Sequence, residues 1–489
     1  MKVQRTSLII RPDCSRVFFR PFELRGPEQL IRTLARVMAL TEQQARSEAR
    51  TILDDFVARH QRLKEFLLRR FEQVQAELPT DVTISPARRL LIGAYLAQEY
   101  SLEAAALFNP SIVAHPDQSD LPAGSLRFVL SLRATGEGHV SSIVFRTGVI
   151  GSDGDIRVTE PTRFVTAAEV LPNLSYEKKL FEQKLWELGL LNDFAGDVLA
   201  KLDAVFTWEQ LHGTVERILR RDRQHRRTDE LDIARGVLAL ARANYAVSFE
   251  NTTRFSERVI FPSSPSESRG IEDARFVLFT DDDGHRRYYA TFTAFDGNVT
   301  LPQLLETDDF IRFDISTLNG PEVRNKGMAL FPRRINGCYA MLSRQDNENI
   351  YLMFSDMLHF WYEKRLLLRP TYPWEFVQIG NCGSPIETDA GWLVITHGVG
   401  PMRRYAIGAV LLDRSDPTRV LGRLREPLLM PTESEREGYV PNVVYSCGAL
   451  VHAGRLILPY AMSDQCASFA TVSLAELLGE LTAHGVAAQ

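Results

Sequence analysis

From Tyr245 to Leu478 this chain repeats one device: a short apolar run bounded by a turn that contains glycine. The runs at 288–294, 338–344, 350–355, 392–397, 406–413 and 455–461 are each a strand's length and are enriched in Tyr, Val, Ile, Leu and Thr. Between them lie Asp283-Gly284, Asn336-Gly337, Ala390-Gly391 and Ala453-Gly454, the turn chemistry of antiparallel hairpins. Upstream, 126–133 and 140–146 have the same character. Many short antiparallel strands at intervals of a few tens of residues predict a mainly β fold built from radially arranged sheets, a β-propeller, with no fixed number of blades. Helices do not alternate with these strands, which argues against a Rossmann fold or an (α/β)8 barrel.

Two stretches break the pattern. Residues 1–100 predict an N-terminal module. Alternation around Pro12-Asp13 reads as a two-stranded hairpin. Leu30, Ile31, Leu34, Val37 and Met38, then Ile52, Phe56, Leu63, Phe66, Leu67 and Phe71, follow at helical spacing. Thr41-Glu-Gln-Gln44 has the form of a capping box, which starts a helix at about Glu42. The second stretch, about 176–246, is a helical insertion into the β-rich domain expected over 101–489. Its basic run 217–227 has no interleaved aromatics and precedes Asp229, Glu230 and Asp232, so it reads as a solvated helix face.

Composition narrows the function. The 489 residues are 45% hydrophobic and 24% charged, as expected of a globular chain. A formal charge of -5 argues against a nucleic-acid partner. No run reaches the roughly 18 apolar residues of a membrane span. Five scattered cysteines without C-x-x-C spacing suggest neither a disulfide framework nor a metal site, and fit a cytoplasmic protein. The amphipathic helices are suited to forming a homo-oligomer.

Polar residues at the ends of apolar strands are costly to bury unless they serve a site. They are Asn109, Arg133, Glu272, Asp273, Arg275, Lys326, Arg344, His397, Tyr405 and Asp464. No pair of histidines has metal-ligand spacing, and no G-x-S-x-G or P-loop occurs. Two carboxylates alone would suggest glycoside hydrolysis. A carboxylic acid accompanied by a set of cations, with Arg, Lys, His and Tyr clustered, suggests instead an anionic nucleophile, such as phosphate, held by those cations.

Four ordered motifs carry a resemblance. They are Gly270-Ile-Glu-Asp-Ala-Arg275, Lys326-Gly-Met-Ala-Leu-Phe-Pro332 with 335–344, Ile379-Gly-Asn-Cys-Gly-Ser-Pro-Ile386 with 391–399, and Gly438-Tyr-Val-Pro-Asn-Val-Val-Tyr-Ser-Cys-Gly448. Over roughly 105–480, the insertion excepted, the chain resembles glycoside hydrolase family 130, the β-mannoside phosphorylases and β-mannosidases. The resemblance implies a five-bladed β-propeller with the site on its axis. It also implies inverting cleavage of β-mannosides by inorganic phosphate to give α-mannose 1-phosphate, with no cofactor and no metal. Asp273 then matches the general acid, acting through the mannose 3-hydroxyl. Lys326, Arg344, His397 and Tyr405 match phosphate-binding positions, and Asn109, Arg133 and Asp464 match mannose contacts. Gln378 stands where many relatives have lysine and is grouped with the substrate contacts. Ala274 replaces a common proline, Ser343 and Gln345 replace His and Pro beside Arg344, and Gly383-Ser-Pro replaces Gly-Pro-Pro. These departures keep an inverting β-mannosidase as the alternative, with a non-catalytic sugar-binding propeller behind it.

Overall fold

The structure, a computed structural model, describes residues 1–78, 83–171, 175–221 and 228–483. It is mainly β. Five successive antiparallel units of four or five strands account for most of the chain. The first is Ala106–Ala114, Leu126–Thr135, Ser141–Ile150 and Ile156–Val158. The second runs from Gly270–Thr280 through Arg286–Phe295 and Thr300–Thr307 to Arg312–Thr317. Lys326–Leu330 begins the third, Gln378–Asn381 the fourth and Val444–Tyr445 the fifth. A parallel contact between Gly270 and Ser141 helps merge the first two units into one twelve-stranded sheet.

The apolar cores lie between these units. Phe145 packs with Phe276 and Phe313 between units one and two. Val277 and Leu304 meet Met328 and Met341 between two and three. Leu342 meets Trp392 and Val410 between three and four, and Leu393 meets Leu458 and Tyr460 between four and five. Phe128 and Leu130 then meet Ile457 and Phe469, which joins the fifth unit back to the first. Because each sheet buries both faces against neighbours, the strand centres read as continuous apolar runs.

The N-terminal strands exist, but they do not form the expected hairpin. Gln4–Ile10 pairs with Cys466–Ser473 at the other end of the chain, and Val17–Pro21 pairs with Ala97–Ser101. Alternation specifies a half-buried strand and leaves its partner open. The capping box at Thr41 and Gln44 forms, and the helix it caps spans Glu42–Phe56. This module has its own core of Leu34, Val37, Phe71, Leu91 and Ile92. The insertion carries helices between Lys178 and Arg242 around Phe194, Val198, Leu211 and Val237. The part of the basic run at 222–227 lies outside the described residues.

A buried glutamate recurs just ahead of the strand that begins a unit. Glu103 precedes Ala106, Glu267 precedes Gly270, and Glu375 precedes Gln378, each by three residues. Glu267 accepts from the Ser263 and Ser264 amides at 2.8 and 3.0 Å, and Glu375 accepts from Thr371 and Tyr372 at the same two distances. Glu435 serves the fifth unit, accepting from the Thr432 amide at 2.8 Å, the Tyr460 hydroxyl at 2.6 Å and Arg5 at 3.0 Å. Before the third unit it is Glu187 of the insertion that accepts from the Gly320 amide, at 2.8 Å. A carboxylate that accepts several backbone N–H groups fixes a tight turn. These turns set where each leading strand starts, and the site lies at those starts.

Candidate active site

The leading strands of the first three units share a distortion. Pairing slips between Phe108 and Ser111, between Glu272 and Arg275, and between Lys326 and Ala329. Within the slips Asn109, Asp273 and Gly327 have φ of 49°, 55° and 91°. A bulge with a left-handed residue turns the side chains beside it out of the ordinary pleat. For Asn and Asp that backbone is uncommon and costs energy, which places a functional demand on the position.

Asp273 accepts from Asn109 Nδ2 at 2.7 Å, across units, and from Arg133 Nη1 at 3.4 Å. Arg133 also donates to Glu272 Oε1 at 2.9 Å, and Lys326 Nζ donates to Glu272 Oε2 at 3.1 Å. Arg133 lies over the Phe108 ring at 5.1 Å. Burial pushes the Asp273 carboxyl up, but Arg133, Arg275, the Asn109 hydrogen bond and Lys326 outweigh it and hold the carboxyl below its ordinary range. Asp464, left-handed at φ 51° in the turn before Cys466–Ser473, completes this acidic group. Burial first, then the charge of Asp273, pushes its carboxyl up to about 6.

A second group faces the first. Arg344 Nη1 donates to His397 Nε2 at 3.0 Å, and Gln378 Nε2 lies 3.4 Å from the same nitrogen. Arginine can only donate, so His397 Nε2 accepts and the ring is neutral. Burial, then Arg344 and Arg275, hold the His397 pKa well below its ordinary value. The His397 ring lies parallel to Tyr405 at 6.0 Å and edge-on to Tyr445 at 4.8 Å. Gly380 makes this assembly possible, since a Cβ there would sit 2.4 Å from His397 Cε1 and 3.0 Å from Arg344 Cδ.

Arg275 joins the two groups. Its Nη1 donates to the Asp273 carbonyl at 2.9 Å, its Nη2 to the Tyr445 hydroxyl at 2.8 Å and its Nε to the Cys382 carbonyl at 3.0 Å. Fully buried, it places the acid of the second unit against the aromatic wall of the fifth.

The sequence-derived candidates therefore come together, but in two sets. Asn109, Arg133, Asp273, Asp464 and Lys326 form the acidic side, while Arg344, His397, Tyr405 and Gln378 form the other. Lys326 had been grouped with the second set, yet its ammonium is held by Glu272. His397 had been grouped with cations, yet it is a neutral acceptor. Sequence reasoning gave no site role to Tyr445 or to Gly380, although both lie inside the quoted motifs. Arg403, whose charge reaches Asp464 and whose guanidinium lies 5.9 Å from the Tyr405 ring centre, was also missed. The far ends of the same leading strands line a cavity of about 460 Å³ whose charged side chains, Arg333 and Glu387, pair with each other at 2.7 Å.

Comparisons with known proteins match this chain. The family profile described as beta-1,4-mannooligosaccharide phosphorylase matches residues 218–482. The 1,2-beta-oligomannan phosphorylase of Thermoanaerobacter sp. is 36% identical over 248 residues, 49% of this chain and 80% of that protein. The Beta-1,2-mannobiose phosphorylase of Listeria innocua is 32% identical over 231 residues, 45% of this chain and 63% of that protein. The solved structure of a Listeria innocua Beta-1,2-Mannobiose phosphorylase in complex with beta-1,2-mannobiose aligns at 22% identity and a TM-score of 0.46, over 79% of this chain and 94% of that one.

Proposed function

The chain belongs to glycoside hydrolase family 130, and on that premise we propose that it is an inverting β-mannoside phosphorylase. It cleaves β-linked manno-oligosaccharides with inorganic phosphate, gives α-mannose 1-phosphate and needs no cofactor. The observation that carries this reading is the Arg275 bridge, which sets the enclosed acid Asp273 beside Arg344, His397 and Tyr405. An acid on one side of a sugar and a polar anion cradle on the other is what an in-line displacement by phosphate requires.

In this reading the reacting mannose is held by Asn109, Arg133 and Asp464, with Gln378 at the boundary. Phosphate lies against Arg344, His397, Tyr405 and Gln378, with Lys326 completing the cradle by exchanging Glu272 for the anion. A phosphate oxygen forms the new bond to the anomeric carbon as the bond to the leaving oxygen breaks. The leaving oxygen takes the 3-hydroxyl proton and Asp273 replaces it. With monohydrogen phosphate as nucleophile the proton balance closes, because the product is the phosphomonoester dianion and the phosphate proton reloads Asp273. In the empty site Asp273 is held ionised. An arriving phosphate dianion raises the carboxyl pKa by like-charge repulsion and so favours the protonated acid.

The same reading takes the five units as blades of a five-bladed propeller. It is supported by the cores that join each unit to the next and the fifth to the first, and by the Gln4–Ile10 strand, which completes the last sheet. Residues 1–100 and the insertion are then additions to a catalytic domain of 101–489, available for a homo-oligomer contact. A cytoplasmic setting fits the five free cysteines, and among the described residues no helix is long and apolar enough to cross a membrane.

The deciding test is incubation with a panel of mannobioses, with and without phosphate. Phosphate-dependent release of α-mannose 1-phosphate is expected. Free mannose released equally in both buffers would replace this reading with an inverting mannosidase. Binding with no product in either buffer would leave a sugar-binding protein.

A further inference from the structure

The floor of the site is charged, and its mouth sets exposed apolar side chains among the charged residues of its loops, such as Arg403 and Glu437. Of the six most exposed large apolar side chains among the described residues, four lie around this mouth: Met402, Phe376, Val377 and Tyr439, at 90%, 63%, 62% and 55% exposure. They sit on loops that rise from the site residues themselves. Phe376 and Val377 immediately precede Gln378, Met402 lies in the turn that leads to Tyr405, and Tyr439 leads toward Tyr445.

Backbone hydrogen bonds make these loops continuous. The Val377 amide donates to the Val399 carbonyl at 3.0 Å, which ties the first loop to the base of the Met402 turn. The Tyr405 amide donates to the Asn442 carbonyl at 3.1 Å, which ties that turn to the Tyr439 loop. The Val440 amide donates to the Ser463 carbonyl at 3.0 Å, beside Asp464. Across from it, His139 of the first unit lies under Tyr439. The rings are 5.6 Å apart and inclined by 31°, and the Tyr439 hydroxyl is 3.3 Å from His139 Nδ1. Tyr439 is thus braced on one side, while more than half of its surface stays in water.

A braced aromatic face beside an exposed thioether and a phenyl ring suits the flat C–H faces of pyranose rings, which bury apolar area against aromatics while their hydroxyls stay in water. We propose that the arc of His139, Tyr439, Met402 and Phe376 is a binding subsite for the sugar units of a manno-oligosaccharide beyond the bond that is cleaved. This rests on the function proposed above, because it extends the same substrate outward from the Asp273 floor. The arc makes the chain selective for longer oligosaccharides over the disaccharide.

The test compares mannobiose with mannotetraose on the full chain. Tyr439→Ala and the Tyr439→Ala/Met402→Ala pair are expected to raise KM for the tetraose by about tenfold or more, with a smaller change for the biose and none for phosphate. Tyr439→Phe, which keeps the ring, is expected to retain the wild-type preference. Equal KM changes for both lengths would overturn the proposal. So would a change of oligomeric state in these variants at unaltered KM, since the arc would then be a contact between copies of the chain. Calorimetric titration of mannotetraose into Asp273→Asn protein, with and without Tyr439→Ala, keeps the two readings apart. Weaker binding in the double variant supports the subsite even if the wild type turns over no mannoside, and unchanged binding overturns it.

Discussion

Asn109 and Asp273 occupy matching bulges in neighbouring units, both with left-handed backbone, and the amide of the first donates to the carboxylate of the second at 2.7 Å. Each residue holds a backbone conformation that is uncommon outside glycine. This hydrogen bond and the one from Arg133 Nη1 both fix the same carboxylate oxygen, Oδ1.

Asp273→Asn keeps the shape and removes the acid. Turnover is expected to fall by about 10²- to 10⁴-fold, while calorimetric titration should still detect phosphate, because Arg344, His397 and Tyr405 are untouched. Near-normal turnover would remove Asp273 from the mechanism.

Gly380→Ala tests the anion side without altering any charge. The new methyl would meet His397 and Arg344 far inside contact distance, so both must shift at a cost of about 1–3 kcal/mol. KM for phosphate is expected to rise more than KM for the mannoside. Steady-state kinetics with each substrate varied in turn would reveal the opposite order, which would place phosphate elsewhere.

Asp464 gives a pH signature in stability. Its folded pKa is raised from 3.8 to about 6 by burial and by Asp273, so the native state holds this proton more tightly than the unfolded chain does. The contribution favours folding at pH below the ordinary carboxyl value and is lost as pH rises through about 6. Asp464→Asn is therefore expected to be more stable than the wild type at neutral pH, by at most about 3 kcal/mol, and to show no such gain in acid. Thermal melts across that pH range check the sign, and a gain that grows toward acid would refute it.

Phosphate binding should take up protons. The dianion raises the pKa of Asp273, which Arg133, Arg275, Asn109 and Lys326 hold ionised in the empty site. Calorimetric titrations in buffers of different ionisation enthalpy should show net uptake in the wild type and less in Asp273→Asn. Equal uptake in both proteins would assign the proton to another group.

Much of the local structure is legible in the sequence. Run 288–294 lies inside the strand Arg286–Phe295, and run 392–397 inside Gly391–Val399. Thr41 and Gln44 announce their helix, and Glu272-Asp273 stands at the head of its strand as expected. The repeated buried glutamate was also written in the chain, as Ser264-Pro-Ser-Glu267, Tyr372-Pro-Trp-Glu375 and Thr432-Glu-Ser-Glu435. Its spacing is irregular, so no fixed period marks it in the chain.

What the sequence determined by itself were strand positions, the helical additions and, through four ordered motifs, the family. Those depend on alternation, turn chemistry and residue identity, all of which are local. Tertiary structure decided which groups meet. Gln4–Ile10 pairs with the last strand because only the folded chain brings its two ends together. Lys326 meets Glu272 across a bulge in its own strand, while Arg344 meets His397 from a neighbouring unit, and neither pairing follows from sequence spacing. The neutrality of His397 and the raised pKa of Asp464 follow from burial and from charges contributed by distant strands. Such through-space energies have no local signature in the chain.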